Sequence, residues 1–373
     1  MKFSSSVNEL KSGLQQVIGV IPTKSISPIL GHILFKSENG TLSLMGSDLE
    51  VSLKTTVDAK IYEDGSVAIP GKMIFDIVKQ LPEMDLEVEA DENNKIRIKG
   101  STGEYHLSGN SEEDFPVFPD VEPLGNAKFD KNQLEKMITN TIFSTSTDDL
   151  RVTLTGILFQ IKADEFRAVA TDGHRLVRII DKSFTSDKDL NDIIIPKKAL
   201  NLLLRNLEGV RKIEFVLGES YIVFKLKNST IVSRQLEGKF PNYEGVIPKD
   251  NDKKLKINKD MLISSIGRIS LFSNKITQQI KLALTNEDLK LSAQNIEIGS
   301  DAEEKLEGDY SGDAMNIGFN YTYIWDALKH LETENVVLEF GTSVSATLIF
   351  PSEQKENEDI LMLVMPIKLA DTD

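Results

Sequence analysis

The sequence contains no cysteine, and this absence limits the chemistry available to the chain. Without thiols there are no disulfides, no thiolate metal ligands and no cysteine nucleophile. Long apolar runs are also missing, since no stretch approaches the roughly 20 residues that a membrane-spanning helix needs. The opening MKFSSSVNELKSGL has an early lysine but no apolar core, so it does not predict a signal peptide. These absences favour a cytoplasmic protein.

Residues that commonly build active sites are scarce as well. The four histidines, His32, His106, His174 and His330, do not pair at the spacing of metal ligands. Neither a Gly-x-x-x-x-Gly-Lys-Ser/Thr phosphate loop nor a Gly-x-Ser-x-Gly nucleophile turn occurs. The sequence therefore predicts no metal site and no cofactor, and it offers no nucleophile for catalysis.

The charge balance is strongly acidic. The chain has 373 residues and a formal net charge of −15. Such a total argues against a simple nucleic-acid binder, because contacts to phosphates need lysine and arginine. It says nothing, however, about how the charge is distributed over the surface.

One structural unit is repeated three times along the chain. Two alternating strands around a polar turn recur in GHILFKSENGTLSLMGSDLEV, TGILFQIKADEFRAVATDGHRL and QIKLALTNEDLKLSAQNIEIG. Asp48, Asp172 and Asn295 close these copies at spacings of 124 and 123 residues. A second marker, the proline of DFP, KFP and VMP, recurs every 125 residues, at Pro116, Pro241 and Pro366. The period predicts three similar α+β domains with antiparallel sheets, at 1–122, 127–250 and 254–373.

Apolar residues at helical spacing predict two helices in each domain, and each domain is expected to open with the first of them. The six windows are 8–19, 71–80, 131–143, 197–206, 258–269 and 321–330. Together they carry +6, so the rest of the chain carries −21. Lysines are common on the solvated face of any amphipathic helix, which is one explanation. The other is a basic surface on which the helices follow a phosphate backbone without reading bases.

The loop TDGHRL at 171–176 is the strongest local candidate for a site. Asp172 and His174 could form a general-base pair, which would make the chain a hydrolase. Against this, Asp-Gly is a common turn pair, and the corresponding position in the other copies is also Asp or Asn. No nucleophile, metal or oxyanion motif accompanies the pair. The C-terminal run DILMLVMPIKL, in turn, reads either as a last edge strand or as one wall of a peptide groove.

The motifs ATDGHRL, ILGHILF with GTLSLMGSDLE, KFPNYEGVIP and VMPIKL together closely resemble the bacterial DNA polymerase III beta subunit family, the sliding clamps. The resemblance covers essentially the whole chain in order. It implies a processivity factor without enzymatic activity, in which two three-domain chains close head to tail into a ring. Helices would line the hole and sheets would form the rim. The implied partners are duplex DNA, the replicative polymerase, the clamp loader, repair and translesion polymerases, and a second copy of the chain, with no membrane.

The same resemblance implies site residues. It places a partner-peptide groove between the second and third domains, at Leu154, Thr171, Gly173, His174, Arg175, Leu176, Pro241, Val246, Val344, Val364, Met365 and Pro366. The dimer interface would use Tyr105, Leu107, Leu271 and Phe272. The DNA-facing candidates are Lys24, Lys72, Arg151, Lys197, Lys198 and Arg205.

Some positions depart from the family pattern. Lys368 stands in place of an arginine, Gly245 stands where relatives often carry arginine, and Val152 and Thr153 replace an aromatic pair. The terminal ADTD is an extension. These departures affect the expected peptide preference and a single-strand DNA contact beside Arg151. The main competing interpretation is a scaffold protein with a peptide groove, no closed ring and no retention on DNA.

Overall fold

The computed structural model describes residues 1–22, 24 and 27–369 of the chain. The terminal ADTD extension, residues 370–373, lies outside the described residues. Six α-helices occupy the described part: α1 (Val7–Val17), α2 (Gly71–Gln80), α3 (Lys131–Ile142), α4 (Lys197–Arg205), α5 (Lys259–Ile269) and α6 (Tyr321–Lys329). Each begins and ends within two residues of its predicted window, so the helix predictions are confirmed. None of the described helices is long and apolar enough to cross a membrane.

The strands fall into three comparable series. The first is β1 (Lys2–Ser6), β2 (His32–Glu38), β3 (Thr41–Ser47), β4 (Val51–Val57), β5 (Lys60–Glu63), β6 (Gly65–Pro70), β7 (Asp85–Ala90), β8 (Lys95–Lys99) and β9 (Glu104–Ser108). The second is β10 (Gly125–Asp130), β11 (Gly156–Ile161), β12 (Phe166–Thr171), β13 (Arg175–Asp181), β14 (Ile193–Pro196), β15 (Lys212–Leu217), β16 (Tyr221–Lys225) and β17 (Ser229–Arg234). The third is β18 (Lys253–Asn258), β19 (Gln279–Leu284), β20 (Leu289–Asn295), β21 (Ser300–Leu306), β22 (Gly308–Ser311), β23 (Met315–Asn320), β24 (Asn335–Phe340), β25 (Thr347–Pro351) and β26 (Glu358–Val364).

The chain divides into two compact units, one of residues Met1–Leu134 with Ile195–Gln235 and one of Glu135–Ile194 with Leu236–Asp373. Unit 1 holds a five-stranded sheet, β5-β1-β7-β8-β9, and an eight-stranded sheet, β10-β15-β16-β17-β4-β3-β2-β6. Unit 2 holds a four-stranded sheet, β21-β20-β19-β23, and most of a nine-stranded sheet, β14-β11-β12-β13-β26-β25-β24-β18-β22. Neighbouring strands pair antiparallel, as the short hairpins predicted.

Alternation along the strands puts one apolar row into the core of each unit. In unit 1 the rings of Phe3 and Phe35 stack at 6.3 Å, and Leu10 and Leu14 of α1 are fully buried. In unit 2 Phe159 and Phe166 meet edge to face at 4.8 Å. The Ser6 hydroxyl caps α1 by accepting a hydrogen bond from the Glu9 N–H.

Two strand expectations were wrong. Each domain was expected to open with a helix, but β1, β10 and β18 precede α1, α3 and α5. The C-terminal run was expected, on one interpretation, to be an edge strand. Instead β26 lies inside its sheet, because it pairs with β13 on one side and β25 on the other.

Candidate functional sites

The TDGHRL loop lies where the sheet of unit 2 passes from the second strand series to the third. There β13 pairs with β26, with Arg175 opposite Val364 and Leu176 opposite Leu363. The N–H of Met365 then donates to the carbonyl oxygen of His174 at 2.8 Å. We call this place the second junction. It brings the TDGHRL and VMP motifs, about 190 residues apart in sequence, into direct contact.

One face of the second junction is apolar. Its buried cluster consists of Leu154, Leu158, Val169, Leu176, Ile194, Phe240, Tyr243, Ala346, Leu348, Leu361 and Leu363. Phe240 and Tyr243 belong to the segment that links the second series to the third. At the margin of this cluster, exposed apolar side chains remain: Val246 is 58 %, Val344 62 % and Met365 39 % exposed. Buried apolar floor and exposed apolar margin together form a surface suited to an apolar ligand.

Asp172 builds the turn of the loop. Its Oδ1 accepts hydrogen bonds from the N–H groups of His174 (2.9 Å) and Arg175 (3.0 Å), and its Oδ2 accepts from Arg175 Nε (3.0 Å). Asp48 holds the corresponding turn in the same way, accepting from the N–H groups of Glu50 and Val51. Asn295 accepts from Glu297 in the third copy. The recurring acid is therefore a turn former, as the repeat indicated.

His174 has no catalytic partner at this turn. Its exposed ring stacks on the ring of Tyr323 of α6, with centroids 6.1 Å apart. Both carboxylate oxygens of Asp172 are already engaged by backbone N–H groups and Arg175. The structure shows no hydrogen bond between the side chains of Asp172 and His174, because the carboxylate is used in the turn and the ring stacks on Tyr323.

Arg175 points away from the apolar face and is held on the opposite side of the strand. Its Nη1 donates to Asp326 (2.6 Å), its Nη2 donates to the carbonyl oxygen of Phe143 (2.7 Å), and its Nε donates to Asp172. The guanidinium also lies 5.3 Å from the ring of Phe143 and 4.9 Å from that of Tyr323. Burial, together with the Asp172 carboxylate, raises the pKa of the Tyr323 hydroxyl. Arg175 thus joins the loop to α6 through three of its five N–H donors.

Apart from Arg175, the predicted groove residues separate into two groups. Four of them are buried: Leu154, Thr171, Leu176 and Val364. Val364 lies opposite Arg175 in the strand pairing. These four side chains therefore support the surface from the interior and are not exposed on it. Gly173, His174, Pro241, Val246, Val344, Met365 and Pro366 have side chains or backbone at least partly open to solvent. Sequence reasoning missed Tyr323 and Ala346, for which no local pattern gives a signal.

Arg151 lies at the same surface. It pairs with Asp148 at 3.1 Å, and a Cβ at Gly173 would lie 2.7 Å from its Nη1. Gly173 has φ +91°, a conformation that favours glycine. The flexible guanidinium could move aside for a Cβ, so the positive φ is what favours glycine at position 173.

Ion pairs fasten the linking segment to its sheet. Glu244 pairs with Arg167 (3.5 Å) and Arg178 (3.3 Å), and Arg178 also pairs with Asp359 (3.2 Å). Burial raises the pKa of the Tyr243 hydroxyl, which donates to Gln160 Oε1 at 2.7 Å. The segment that carries Pro241 and Val246 is therefore fixed in place.

The predicted DNA-facing cations differ in availability. Lys24, Lys72 and Arg205 are exposed, and Arg205 lies beside Gly19 at the end of α1. Lys198 pairs with Asp48, and Lys197 is half-buried. Lys72 and Arg205 are therefore better placed than Lys198 to meet a phosphate.

The predicted interface residues lie at two free sheet edges. Tyr105 and Leu107 belong to β9, the last strand of the five-stranded sheet. Leu271 and Phe272 lie in a 3₁₀ turn after α5 and are 80 % and 38 % exposed. That turn packs against β20 and β21, and β21 is the edge of the four-stranded sheet.

A separate open depression in unit 1 is mainly cationic and was not predicted. It is lined by Lys128, Gly209, Val210, Arg211, Lys212, Ile213, Glu214, Lys225, Leu226 and Lys227. Lys225 pairs with Glu214 at 3.1 Å. None of the predicted site residues lies there. Within residues 1–22, 24 and 27–369, no cluster of three His, Asp or Glu could hold a metal ion.

Comparison with protein families matches the chain in three consecutive segments. Residues 1–119 match the N-terminal domain of the DNA polymerase III beta subunit, residues 128–242 its central domain, and residues 244–368 its C-terminal domain.

Individual relatives agree over the full length. The beta sliding clamp of Chlamydia muridarum is 31 % identical over 372 residues, covering 100 % of both chains. That of Escherichia coli (strain K12) is 32 % identical over 372 residues, 99 % of this chain and 100 % of the relative. Among solved structures, the DNA polymerase III subunit beta from Pseudomonas aeruginosa superposes with a TM-score of 0.93 at 31 % identity, covering 99 % and 100 %. A sliding clamp from Bartonella birtlesii bound to griselimycin gives 0.94 at 28 %, with the same coverage.

Proposed function

The chain belongs to the DNA polymerase III beta subunit family, the sliding clamps, and on that premise we propose that two copies close into a ring around duplex DNA. Its general role is that of a processivity factor for DNA polymerase III rather than an enzyme, and its fold is the three-domain clamp fold. The ring, the encircled DNA, the peptide groove and a cytoplasmic location are the proposal.

The observation that carries the ring is the pair of free edges. Strands β4, β13 and β21 each follow the turn at Asp48, Asp172 or Asn295, and strands β9, β17 and β26 each end one strand series. Within the chain, β4 pairs with β17 and β13 pairs with β26, so a post-turn strand pairs with the last strand of the following series. This leaves one post-turn strand, β21, and one last strand, β9. Each is an edge strand with one neighbour among the described residues. Pairing β21 of one copy with β9 of another, twice, would join the four-stranded sheet of each copy to the five-stranded sheet of the other and close a ring.

Apolar side chains accompany these edges. Leu271 and Phe272 are exposed beside β21, while Tyr105 and Leu107 lie half-buried on β9. An apolar plug next to a continuous sheet is a sound basis for a stable interface. The exposed patch therefore has an assigned partner, a second copy of the chain.

The contacts to DNA would be weak and independent of sequence. The helices carry +6 in a chain of net −15, and Lys72 and Arg205 are exposed on two of them. Contacts to phosphate without contacts to base edges give no sequence preference. A ring retains DNA by topology, so it needs no tight contact and can slide.

The second junction is the proposed peptide groove. Its buried apolar floor and its margin of Val246, Val344 and Met365 suit short apolar-aromatic segments of the replicative polymerase, clamp loader, and repair and translesion polymerases. We extend to this chain the binding of griselimycin that the relatives from Pseudomonas aeruginosa and Bartonella birtlesii display.

Retention on DNA tests the ring. The protein is loaded onto nicked circular plasmid by its cognate loader, and the complex is passed through a sizing column at high salt. Half of the loaded sample is linearised before it is passed through the column. Retention on circles with loss from linear DNA would establish encirclement, because ordinary contacts cannot sense the ends. Equal loss from both, with loading verified, would favour the scaffold interpretation. The control is Leu271→Ala with Phe272→Ala, which should not be retained on either form.

A further inference from the structure

The strand register at the joint of the proposed ring can be obtained from the internal copies. The joint pairs β9 of one copy with β21 of another. Two pairings of the same kind are formed within the chain, β4 with β17 and β13 with β26. Residues of β9 and β21 that correspond to a pair within the chain should therefore lie opposite each other at the joint.

Strand β21 stands in the third copy where β4 stands in the first. A path of directly opposite residues leads from the N-cap of the second helix across the sheet to each strand. In the first copy the path consists of Pro70 opposite His32, Leu34 two positions further, and then Met45 and Lys54. In the third copy it consists of Asn320 opposite Gln279, Lys281 two positions further, and then Ser292 and Glu303. Glu303 on β21 therefore corresponds to Lys54 on β4.

Strand β9 corresponds to β17 in the same way. Here the path begins three residues before the first helix of each copy, α1 or α3. In the first copy it consists of Ser4, Glu87, Lys99 and Glu104. In the second copy it consists of Lys128, Glu214, Lys225 and Thr230. Glu104 on β9 therefore corresponds to Thr230, which lies opposite Lys54.

This correspondence places two polar pairs at the joint. Glu104 of one copy lies opposite Glu303 of the other, as Thr230 lies opposite Lys54 within the chain. Because the strands run in opposite directions, His106 then lies opposite Asp301. All four side chains are exposed and two positions apart on their strands, so they share the solvent-facing side of the joint.

The balance of charge at these pairs depends on His106. Two glutamates directly opposite each other destabilise a strand pair. The Nε2 atom of His106 lies 3.1 Å from Glu104 Oε1, and the histidine side chain is 69 % exposed. A protonated imidazole would lie between Glu104 of its own copy and Asp301 of the other. A neutral imidazole would leave three carboxylates together.

Other charged groups do not replace the imidazole. The charged residues around His106 come from β8, from β9 and from β21 of the other copy, and they are Lys95, Arg97, Lys99, Glu104, Asp301 and Glu303. Arg97, directly opposite His106 on β8, pairs with Glu89 at 2.5 Å. Glu303 pairs with Lys290 at 3.0 Å. Within the part of the chain that the structure describes, Asp301 makes no ion pair, so it is the carboxylate left for His106.

We propose that protonation of His106 strengthens the ring joint through an ion pair with Asp301 of the other copy. The inference rests on the proposed ring and adds proton uptake to its closure. Imidazoles change charge between pH 5 and 8, where carboxylates stay ionised. Closure brings Asp301 to His106, so the closed ring holds the proton more tightly than the open chain. The added stability is therefore present at the acidic end of this range and is lost as pH rises.

The test measures dissociation of the ring at pH 6 and pH 8. Each protein carries a fluorophore on Lys227→Cys, an exposed turn position and the only thiol of the chain. Fluorescence-detected sedimentation from picomolar to micromolar concentration gives the dissociation constant. His106→Gln and Asp301→Asn are compared with the wild-type protein. His32→Gln is the matched control, because that histidine lies on β2, outside the joint.

An exposed ion pair changes an equilibrium about 2- to 5-fold, and the ring has two joints. We therefore expect the wild-type dissociation constant to be about 4- to 25-fold lower at pH 6 than at pH 8. His106→Gln and Asp301→Asn should each reduce this ratio to about 2 or less, and His32→Gln should keep it. A wild-type ratio near 1, or the full wild-type ratio in either joint variant, would overturn the inference.

Introduced thiols test the register independently of pH. His106→Cys with Asp301→Cys puts cysteines on opposite residues, whose Cα atoms lie about 4.5–5.5 Å apart, within reach of a disulfide. His106→Cys with Glu303→Cys puts them two positions out of register. Mild oxidation should cross-link the first variant between copies and leave the second unlinked on a denaturing gel. Equal cross-linking of both, or of the second alone, would refute the register.

Failure of the ring and failure of this inference give different results. A wild-type chain that stays monomeric, or that is lost equally from circular and linear DNA, would contradict the ring and with it the proton-linked joint. A closed ring whose dissociation does not depend on pH would contradict the role of His106 alone. Circular dichroism checks that each variant is folded.

Discussion

Replacing Arg175 with alanine should destabilise unit 2 far more than a surface substitution does. The guanidinium donates to Asp172, Asp326 and the carbonyl oxygen of Phe143, and it lies between two aromatic rings. The Arg175 side chain is 13 % exposed, while that of Asp326 is 38 % exposed. Breaking a fully buried pair costs about 3–5 kcal/mol, and an exposed pair is worth about 0–1 kcal/mol. The intermediate burial here gives an expected loss of about 2–3 kcal/mol in the free energy of unfolding.

The single tryptophan allows the loss of unfolding free energy to be measured at α6, the helix that Arg175 contacts. Trp325 directly precedes Asp326 on α6, and its ring contacts Lys329 at 4.9 Å. Its fluorescence during urea denaturation reports the unfolding of the helix that Arg175 holds. Arg175→Lys keeps the charge but loses the planar set of donors, so it should fall between the wild-type protein and Arg175→Ala. Arg205→Ala, an exposed arginine of unit 1, is the matched control and should change the free energy by less than about 0.5 kcal/mol.

A double-mutant cycle separates the partners. Arg175→Ala and Asp326→Ala should show a coupling energy of about 1–2 kcal/mol, because each substitution removes the same hydrogen-bonded pair. A destabilisation by Arg175→Ala no larger than that of Arg205→Ala would refute the reasoning. So would a coupling energy of zero, since the arginine would then not act through α6.

Three other perturbations test further parts of the structure. Leu271→Ala with Phe272→Ala should give monomers at low micromolar concentration by sedimentation, and a persistent dimer would disprove the assigned interface. Lys72→Ala with Arg205→Ala should lower the slope of log affinity against log salt for linear duplex DNA by about 1–2, whereas Lys198→Ala should change it less, since that lysine is paired with Asp48. Hydrogen bonds from Ser66 and then Lys36 lower the pKa of the Glu112 carboxyl, so its stabilisation is present above the ordinary value of 4.5 and is lost as pH falls below it. Glu112→Gln should therefore lose less stability between pH 7 and pH 4 in urea titrations than the wild-type protein; an equal loss would remove Glu112 from the account.

The helices could be predicted from the sequence because apolar residues at a period of 3.6 require nothing beyond the segment itself. The strands that precede them could not. In KFSSS, β1 turns only Phe3 and Ser5 inward, and Ser5 is buried because its hydroxyl donates to the Asp58 carbonyl oxygen at 2.7 Å. A serine that is satisfied by a distant carbonyl gives no apolar alternation to detect.

The sequence could not predict that β26 lies inside its sheet or that Arg175 pairs with Asp326, and the reason is related. Strand β26 pairs with β13 across more than 170 residues of sequence, and Asp326 lies 151 residues from Arg175. No local pattern specifies which of several strands or carboxylates will be the neighbour. The turn at Asp172 was predictable because a carboxylate that accepts from N–H groups two and three positions later is a local device.

The internal copies separate residues that serve the fold from residues that serve a partner. Asp48 and Asp172 make the same two hydrogen bonds, and the Arg234 N–H donates to Glu50 where β17 meets β4, as the Met365 N–H donates to His174 where β26 meets β13. These features therefore belong to the fold. The residues that differ between copies on this shared backbone are then the ones free to specify what binds. The apolar rows beside both joints are buried, since Val223 and Val232 are 6 % and 2 % exposed and Leu348 and Leu363 are 4 % and 3 % exposed. At β21 and β9 the pairing itself is left incomplete. A single unit repeated three times thus carries two joints that are paired within the chain and two edge strands of the same kinds that are not, all on one backbone plan.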